Sequence, residues 1–510
     1  MTTEASAPPP GAAGTDGRLT QLTRLGEWAG RLELSDIPKR VVDFASSHLL
    51  SQLAAIRTGL RQGDGRRLVG ALGPPFQADT AQSARVLAAA GAWLNLDDTA
   101  YAGHLGPSTV GVPVAFAYAR RLSGAELLRA VVLADECAAR VTAAATLGPF
   151  RGQTALHTHI VGAVAGRLAC ERAPAEQWHN ALSLALSAPP WTLLRGFVTS
   201  DARLLHVPVA VRMGLDACDA AAGGLRGAPD IIEHPDGFLG QFATVPLPDA
   251  VTLGLGERWH TETLSFKLHP GGPGIDAAID CAIELHRDLG AELGAWDAAD
   301  VADVAVECSV YTLFAARKAE PYLAGPRSPV GALVLTTPYP VATALLTGRL
   351  TIEDFTQPQV SSAERWQLAD KVRLVHDTTM TRALLAGDAP FGEALRQAGA
   401  QGVAWLKEFG GAQLADLAPE TTPPAKDFTT ASKPTPARVR VTLRDGRVLT
   451  RELSVPHGGI GPELRASHAG LMAEKFRAAG GAAAVVEAWP RLATLAPPDL
   501  RALLEQALAP

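Results

Sequence analysis

The sequence predicts a mainly α protein, a large all-helical domain with a smaller α+β domain inserted into it. Three observations carry this reading. Alanine is abundant and aromatic residues make up only 5%, which suits close-packed helices better than sheets. Apolar residues recur at helical spacing through the first 262 residues, where nothing reads as a strand. Strand-like patterning appears only after Trp259, in three short segments.

In chain order, the first seventeen residues (MTTEASAPPPGAAGTDG) are small, Pro-rich and unpatterned, as a disordered tail is. The first clear helix is capped by Ser35 or Asp36, carries Pro38 in its first turn, and keeps its period through Val41, Val42, Phe44, Ala45, Leu49 and Leu53. Further helices follow at 80–94, 112–122, 124–147, 157–172, 175–186 and 204–222, joined by short loops. Residues 301–310 (VADVAVECSV) alternate at period two, and 372–377 form a short apolar run of similar kind. The strongest β signal is 438–454, two alternating arms about an Asp445-Gly446 turn. Helices at 274–289 and 340–347 are interleaved with these strands. Residues 413–437 are rich in Pro and Thr and read as a surface loop, and 468–508 returns to helices. The expected organisation is a tail at 1–17, a helical domain from 18–262 plus 461–510, and an α+β domain at 263–460.

A chain of 510 residues is too long for one core. Hydrophobic residues at 47% and charged residues at 19% are ordinary for a globular protein. A net charge of −6 argues against nucleic acid or an anionic membrane as partner. Cys137, Cys170, Cys218, Cys281 and Cys308 show no CxxC pair and mostly sit in apolar stretches, as buried free thiols of a reducing cytoplasm do. No secretory leader or membrane-spanning run is read, so a cytoplasmic protein is expected. There is no phosphate loop, HExxH, nucleophile elbow or spaced Cys/His quartet, which leaves nicotinamide, flavin, ATP and metal unsupported.

Five strings in order carry a resemblance: WLNLDDTAYAGHLGPS at 93–108, RLLHVPVAVRMGLDA at 203–217, SFKLHPGGPGIDAA at 265–278, PY at 321–322 with TTPYPVATALLTGRLTIEDF at 336–355, and LRDGRVLTRELSVPHG at 443–458. Together they resemble the MmgE/PrpD (2-methylcitrate dehydratase) family in divergent form. The resemblance implies a helical domain plus a lid with the active site in the cleft between them, a homodimer, and no metal or organic cofactor. Family activities dehydrate 2-methylcitrate, decarboxylate cis-aconitate or epimerise iminodisuccinate. All move a proton at a carbon beside a carboxylate, which needs a base and fixed cations.

Carried over residue by residue, the resemblance makes His104, His157, His159, Lys267 and Tyr322 the catalytic candidates. Asp98, Thr99, Arg203 and His269 are the substrate-binding candidates. The family's His-Pro-Ser is Gly106-Pro107-Ser108 here, with His104 two residues earlier. His157 and His159, at i and i+2, cannot share one helix face. As an His-x-His pair they lack an evident third zinc ligand. Arg203 replaces a family lysine, so it can anchor a carboxylate but cannot exchange protons near neutral pH. Lys267 matches a family lysine directly, and His269 stands in for a histidine that lies further downstream in the family. The expectation is a cofactor-independent lyase, a dehydratase acting beside a carboxylate or carbonyl of a small anionic molecule. A histidine takes the α-proton, Arg203 and Lys267 hold the anion, and Tyr322 or His269 assists the leaving hydroxyl. An isomerase, decarboxylase or cyclase of specialised metabolism on the same scaffold, or a non-catalytic binding relative, are the alternatives.

Overall fold

The computed structural model describes residues 19–100, 103–148, 156–389 and 391–509. The expected tail at 1–17 lies outside them. The fold is mainly α with a smaller α+β part, as the patterning predicts. No described helix is long and apolar enough to cross a membrane. All five cysteines are buried and unbonded, and burial raises the pKa of each thiol.

Two hydrophobic cores organise the chain. The first is helical. Gln21–Arg31, a helix not anticipated from the sequence, is capped by the Thr20 hydroxyl accepting from the Thr23 amide. Lys39–Arg61 follows with Pro38 at its N-cap, where a missing N–H costs nothing. Ser35 and Asp36, the expected caps, belong instead to a separate 3-10 turn (Leu34–Asp36), in which Asp36 accepts from the Glu33 amide. Gly124–Ala144 is buried from Leu127 to Ala144, as a helix at the centre of a bundle is, and its start carries a Ser123–Glu126 capping box. Leu156–Glu171 packs beside it, and Ala175–Leu186 and His206–Ala222 pack in turn on Leu156–Glu171. The last begins after a 3-10 turn, Asp201–Leu204, rather than at 204.

The second core lies around a four-stranded sheet ordered 372–376, 301–308, 437–443, 448–453. Its first pair is parallel and the other two are antiparallel. Ala437, Val439, Val441 and Leu443 point into this core in strict alternation, and Gly446 takes the positive φ of 90° that the hairpin turn requires. Asp276–Leu293 and Pro338–Thr347 are buried in the same core. The expected strand at 301–310 stops at Cys308, because Ser309 takes the N-cap position of a helix, Val310–Ala319.

Two features depart from the sequence reading. A two-residue antiparallel ladder joins Thr99–Ala100 to Gly103–His104 in a region expected to hold no strands; arms this short show no period. Helices Thr378–Ala386, Gly392–Ala398 and Ala400–Gly410 fill a stretch given no elements, with glycines at 387, 399 and 411 cutting the apolar pattern into fragments. Leu384, Phe391, Trp405 and Phe428 join the first core, so the segment 263–460 contributes to both cores.

Candidate active site

The turn after Thr80–Ala92 carries Asn95, Asp97, Asp98 and Thr99, and each faces a different neighbour. Asp97, 1% exposed, accepts a hydrogen bond from His104 Nδ1 at 2.8 Å, across the short ladder that pairs Thr99 with His104. A carboxylate cannot donate, so a hydrogen sits on Nδ1, and in the neutral ring the lone pair is on Nε2. A Cβ at Gly106 would lie 2.3 Å from Gln52 Oε1 and 3.1 Å from His48 Nε2. A side chain at 106 would have to displace the end of Gln52, whereas the imidazole at 104 has room against the Asp97 carboxylate.

His104 lines a cavity of about 230 Å³ together with Asn95, Asp97, His159 and His206. His159 Nδ1 lies 3.1 Å from Ser108 Oγ, and His206 Nδ1 donates to the Arg203 carbonyl at 2.6 Å. Burial pushes His206 down to about 4. It pushes His159 well below the usual imidazole range, helped by the neighbouring histidines 206, 104 and 157. Both rings are therefore neutral at pH 7.

A smaller cavity of about 60 Å³ adjoins the first, sharing His104, Pro273 and Tyr311 with it. Its walls include Thr99, Lys267, His269 and Lys433. Lys267 Nζ donates to Asp276 Oδ2 at 3.0 Å. Lys433 Nζ donates to Thr99 Oγ1 at 3.2 Å, and burial, followed by the nearby Lys267 charge, brings it down to about 8. His269 Nε2 is 2.9 Å from Asp280 Oδ1.

Beneath this floor lies a buried ionic chain. Asp98 Oδ1 accepts from Ser51 Oγ at 2.8 Å and from the Lys267 amide at 3.2 Å. Lys475 Nζ sits 3.5 Å from the same oxygen. His48 bridges to Asp135 at 2.9 Å and approaches Asp98 at 3.7 Å. Ser265, two residues before Lys267, pairs backbone to backbone with Thr99. The segment linking the two cores is thus tied to the turn that carries the site.

Two family descriptions match this chain, the MmgE/PrpD N-terminal domain over residues 23–249 and the MmgE/PrpD C-terminal domain over residues 269–396. The chain belongs to the MmgE/PrpD family. That family includes dehydratases. A comparison with curated proteins finds no match. In this MmgE/PrpD protein the histidines of the cavity fall inside the N-terminal match, whereas Lys433 falls outside both.

Of the residues singled out in the sequence, His104, His159, Thr99, Lys267 and His269 line the two joined cavities. Four others do not. His157 turns away, as the i, i+2 spacing on a helix requires, and its ring packs 5.3 Å from Phe238. Tyr322 lies in the 3-10 turn Glu320–Tyr322 and packs against the second core. Asp98 is fully buried in the ionic chain, so Asp97 and not Asp98 reaches the cavity. Arg203 is buried too, donating to the Trp93 carbonyl and Asn95 Oδ1 with its guanidinium 4.3 Å over Phe197. It braces the turn rather than lining the cavity. Residues that the sequence reading passed over are Asn95, His206, Tyr311 and Lys433. His206 stands inside the string at 203–217 and was open to discovery; Lys433 sits in a Pro/Thr-rich loop with nothing to mark it.

Proposed function

We propose that this protein is a cofactor-independent hydro-lyase, which removes water from a small acid by proton abstraction beside its carboxylate or carbonyl. The supporting observation is the Asp97–His104 pair set between a cavity and two lysines. Asp97 fixes the His104 tautomer, and Nε2 takes the proton from the carbon next to the carboxylate. The electron pair moves toward the carboxylate, whose charge Lys267 and Lys433 stabilise. The hydroxyl on the adjacent carbon leaves with a proton from the Tyr311 hydroxyl. Burial, with the Asp276 charge adding to it, raises the pKa of that hydroxyl, so the phenolate left behind is strongly basic and recovers its proton from His104 Nε2 through water, which restores both groups. One C–H and one C–O bond break, a C=C bond forms, and water departs. In this proposal residues 263–460 act as the lid over the cleft.

The test is incubation with a panel of 2- and 3-hydroxy acids in deuterium oxide, followed by mass spectrometry. The expected result is loss of 18 Da, or deuterium beside the carboxylate, for at least one acid, and loss of both in His104→Ala. Equal activity in wild type and His104→Ala would sink the mechanism. Exchange without mass loss would replace dehydration by isomerisation.

A further inference from the structure

Resting on that reading of the site, we infer that the acid it accepts is amphiphilic, with one carboxylate for Lys267 and Lys433 and an aryl or long alkyl body for the larger cavity. The first observation is the wall. Aromatic residues are 5% of the chain, yet Tyr311, Phe314, Phe391, Trp405 and Phe409 all line this one cavity, with Leu384, Leu385 and Leu406 between them. The rings brace one another, Trp405 on Phe409 at 5.4 Å, Phe314 on Phe409 at 5.3 Å and Tyr311 on Phe391 at 5.5 Å. They come from helices Val310–Ala319 and Ala400–Gly410 and from the residue ahead of Gly392–Ala398.

The second observation is charge. His159 and His206 are neutral through burial, and Asp97 is a carboxylate. Lys318 is the only Lys or Arg among the described lining residues, with its ammonium 5.2 Å over the Phe314 ring. A citrate-like acid would press its second and third carboxylates onto hydrocarbon or toward Asp97, and an unpaired buried anion is strongly unfavourable. The two lysines of the smaller cavity can pair with one carboxylate, beside His104, while Asp276 and Asp280 of the same wall are engaged by Lys267 and His269. The size agrees, since a dry cavity of roughly 150 Å³ takes benzene, and this one is about 230 Å³. A ring with a few further carbons fits.

The experiment titrates the full chain at pH 7 with butanoate, hexanoate, octanoate, 4-phenylbutanoate and tricarballylate, by calorimetry and tryptophan fluorescence. Each buried methylene should tighten binding about fourfold, and 4-phenylbutanoate should bind at least tenfold tighter than butanoate. Trp405→Ala should weaken 4-phenylbutanoate tenfold or more and leave butanoate unchanged. Phe314→Leu, a milder change, guards against misfolding of the first variant and should weaken the aryl acid alone. Tricarballylate binding more tightly than 4-phenylbutanoate, or affinity independent of chain length, overturns the substrate class. Neither outcome bears on proton abstraction, which stands or falls with His104→Ala.

Discussion

Replacing Lys475 by Met removes the cation beneath Asp98 while keeping the stem that fills the space. The lysine is 6% exposed and its partner 0%. Nζ also donates to Ser51 Oγ at 2.7 Å and to the Leu96 carbonyl at 2.9 Å. Breaking a buried pair on one side costs about 3–5 kcal/mol. His48, 3.7 Å from the other Asp98 oxygen, remains as a second basic partner, which sets the expected loss near the lower end, about 3 kcal/mol or roughly 150-fold in the folding equilibrium. Guanidinium unfolding followed by circular dichroism and fluorescence measures it. Burial already raises the Asp98 pKa and Lys475 opposes that rise, so Lys475→Met raises it further. The folded variant then binds more protons than the unfolded chain over a wider window above 3.8, and its deficit shrinks as pH falls toward that value. Adding Asp98→Asn should recover at least about 1 kcal/mol. A deficit below about 1 kcal/mol that is flat with pH, or a strictly additive double variant, refutes the reasoning.

Asp97→Asn lets the amide donate to His104 Nδ1 and favours the wrong tautomer, so deuterium exchange into an accepted acid should slow by about 10²–10⁴ with an unchanged unfolding midpoint; a change under threefold counts against the pair. Lys433 loses its charge above about 8, so carboxylate affinity should fall as pH rises through that value, and the bend should vanish in Lys433→Met. His157 Nε2 is buried without a hydrogen-bond partner and its ring abuts Phe238. His157→Phe should accordingly leave exchange intact and shift stability by no more than about 1 kcal/mol, in the favourable direction; a loss of turnover would return His157 to the site.

The helical bundle and the 438–454 hairpin were legible because their periods run for many residues and their interiors are uniform. The alternation at Ala437, Val439, Val441 and Leu443 maps directly onto burial. The helices between 378 and 410 were not, since glycines divide them before a period accumulates. At the cavities, sequence brought out segments that line them but not the direction of each side chain. Asp97 and Asp98 are chemically identical neighbours, and only the packing of Ser51, His48 and Lys475 decides which one is buried away from the cavity. Arg203 reads as an anion clamp until Trp93 and Asn95 are seen to occupy its donors. Lys433 meets Thr99 across 334 residues of chain, a closeness no local string encodes.

The ionic chain under the floor also sets a timetable. Leu96 and Lys475 are 379 residues apart, which at about 5–20 residues per second separates their synthesis by roughly 20–75 s. For that interval the nascent bundle holds a carboxylate at position 98 whose ammonium has not yet been made. The turn carrying Asp97 and Thr99 must wait protonated, hydrated or open, and its final geometry is locked by one of the last helices to emerge. Premature stops ahead of Lys475 should therefore leave chains with most of their helices and no finished site.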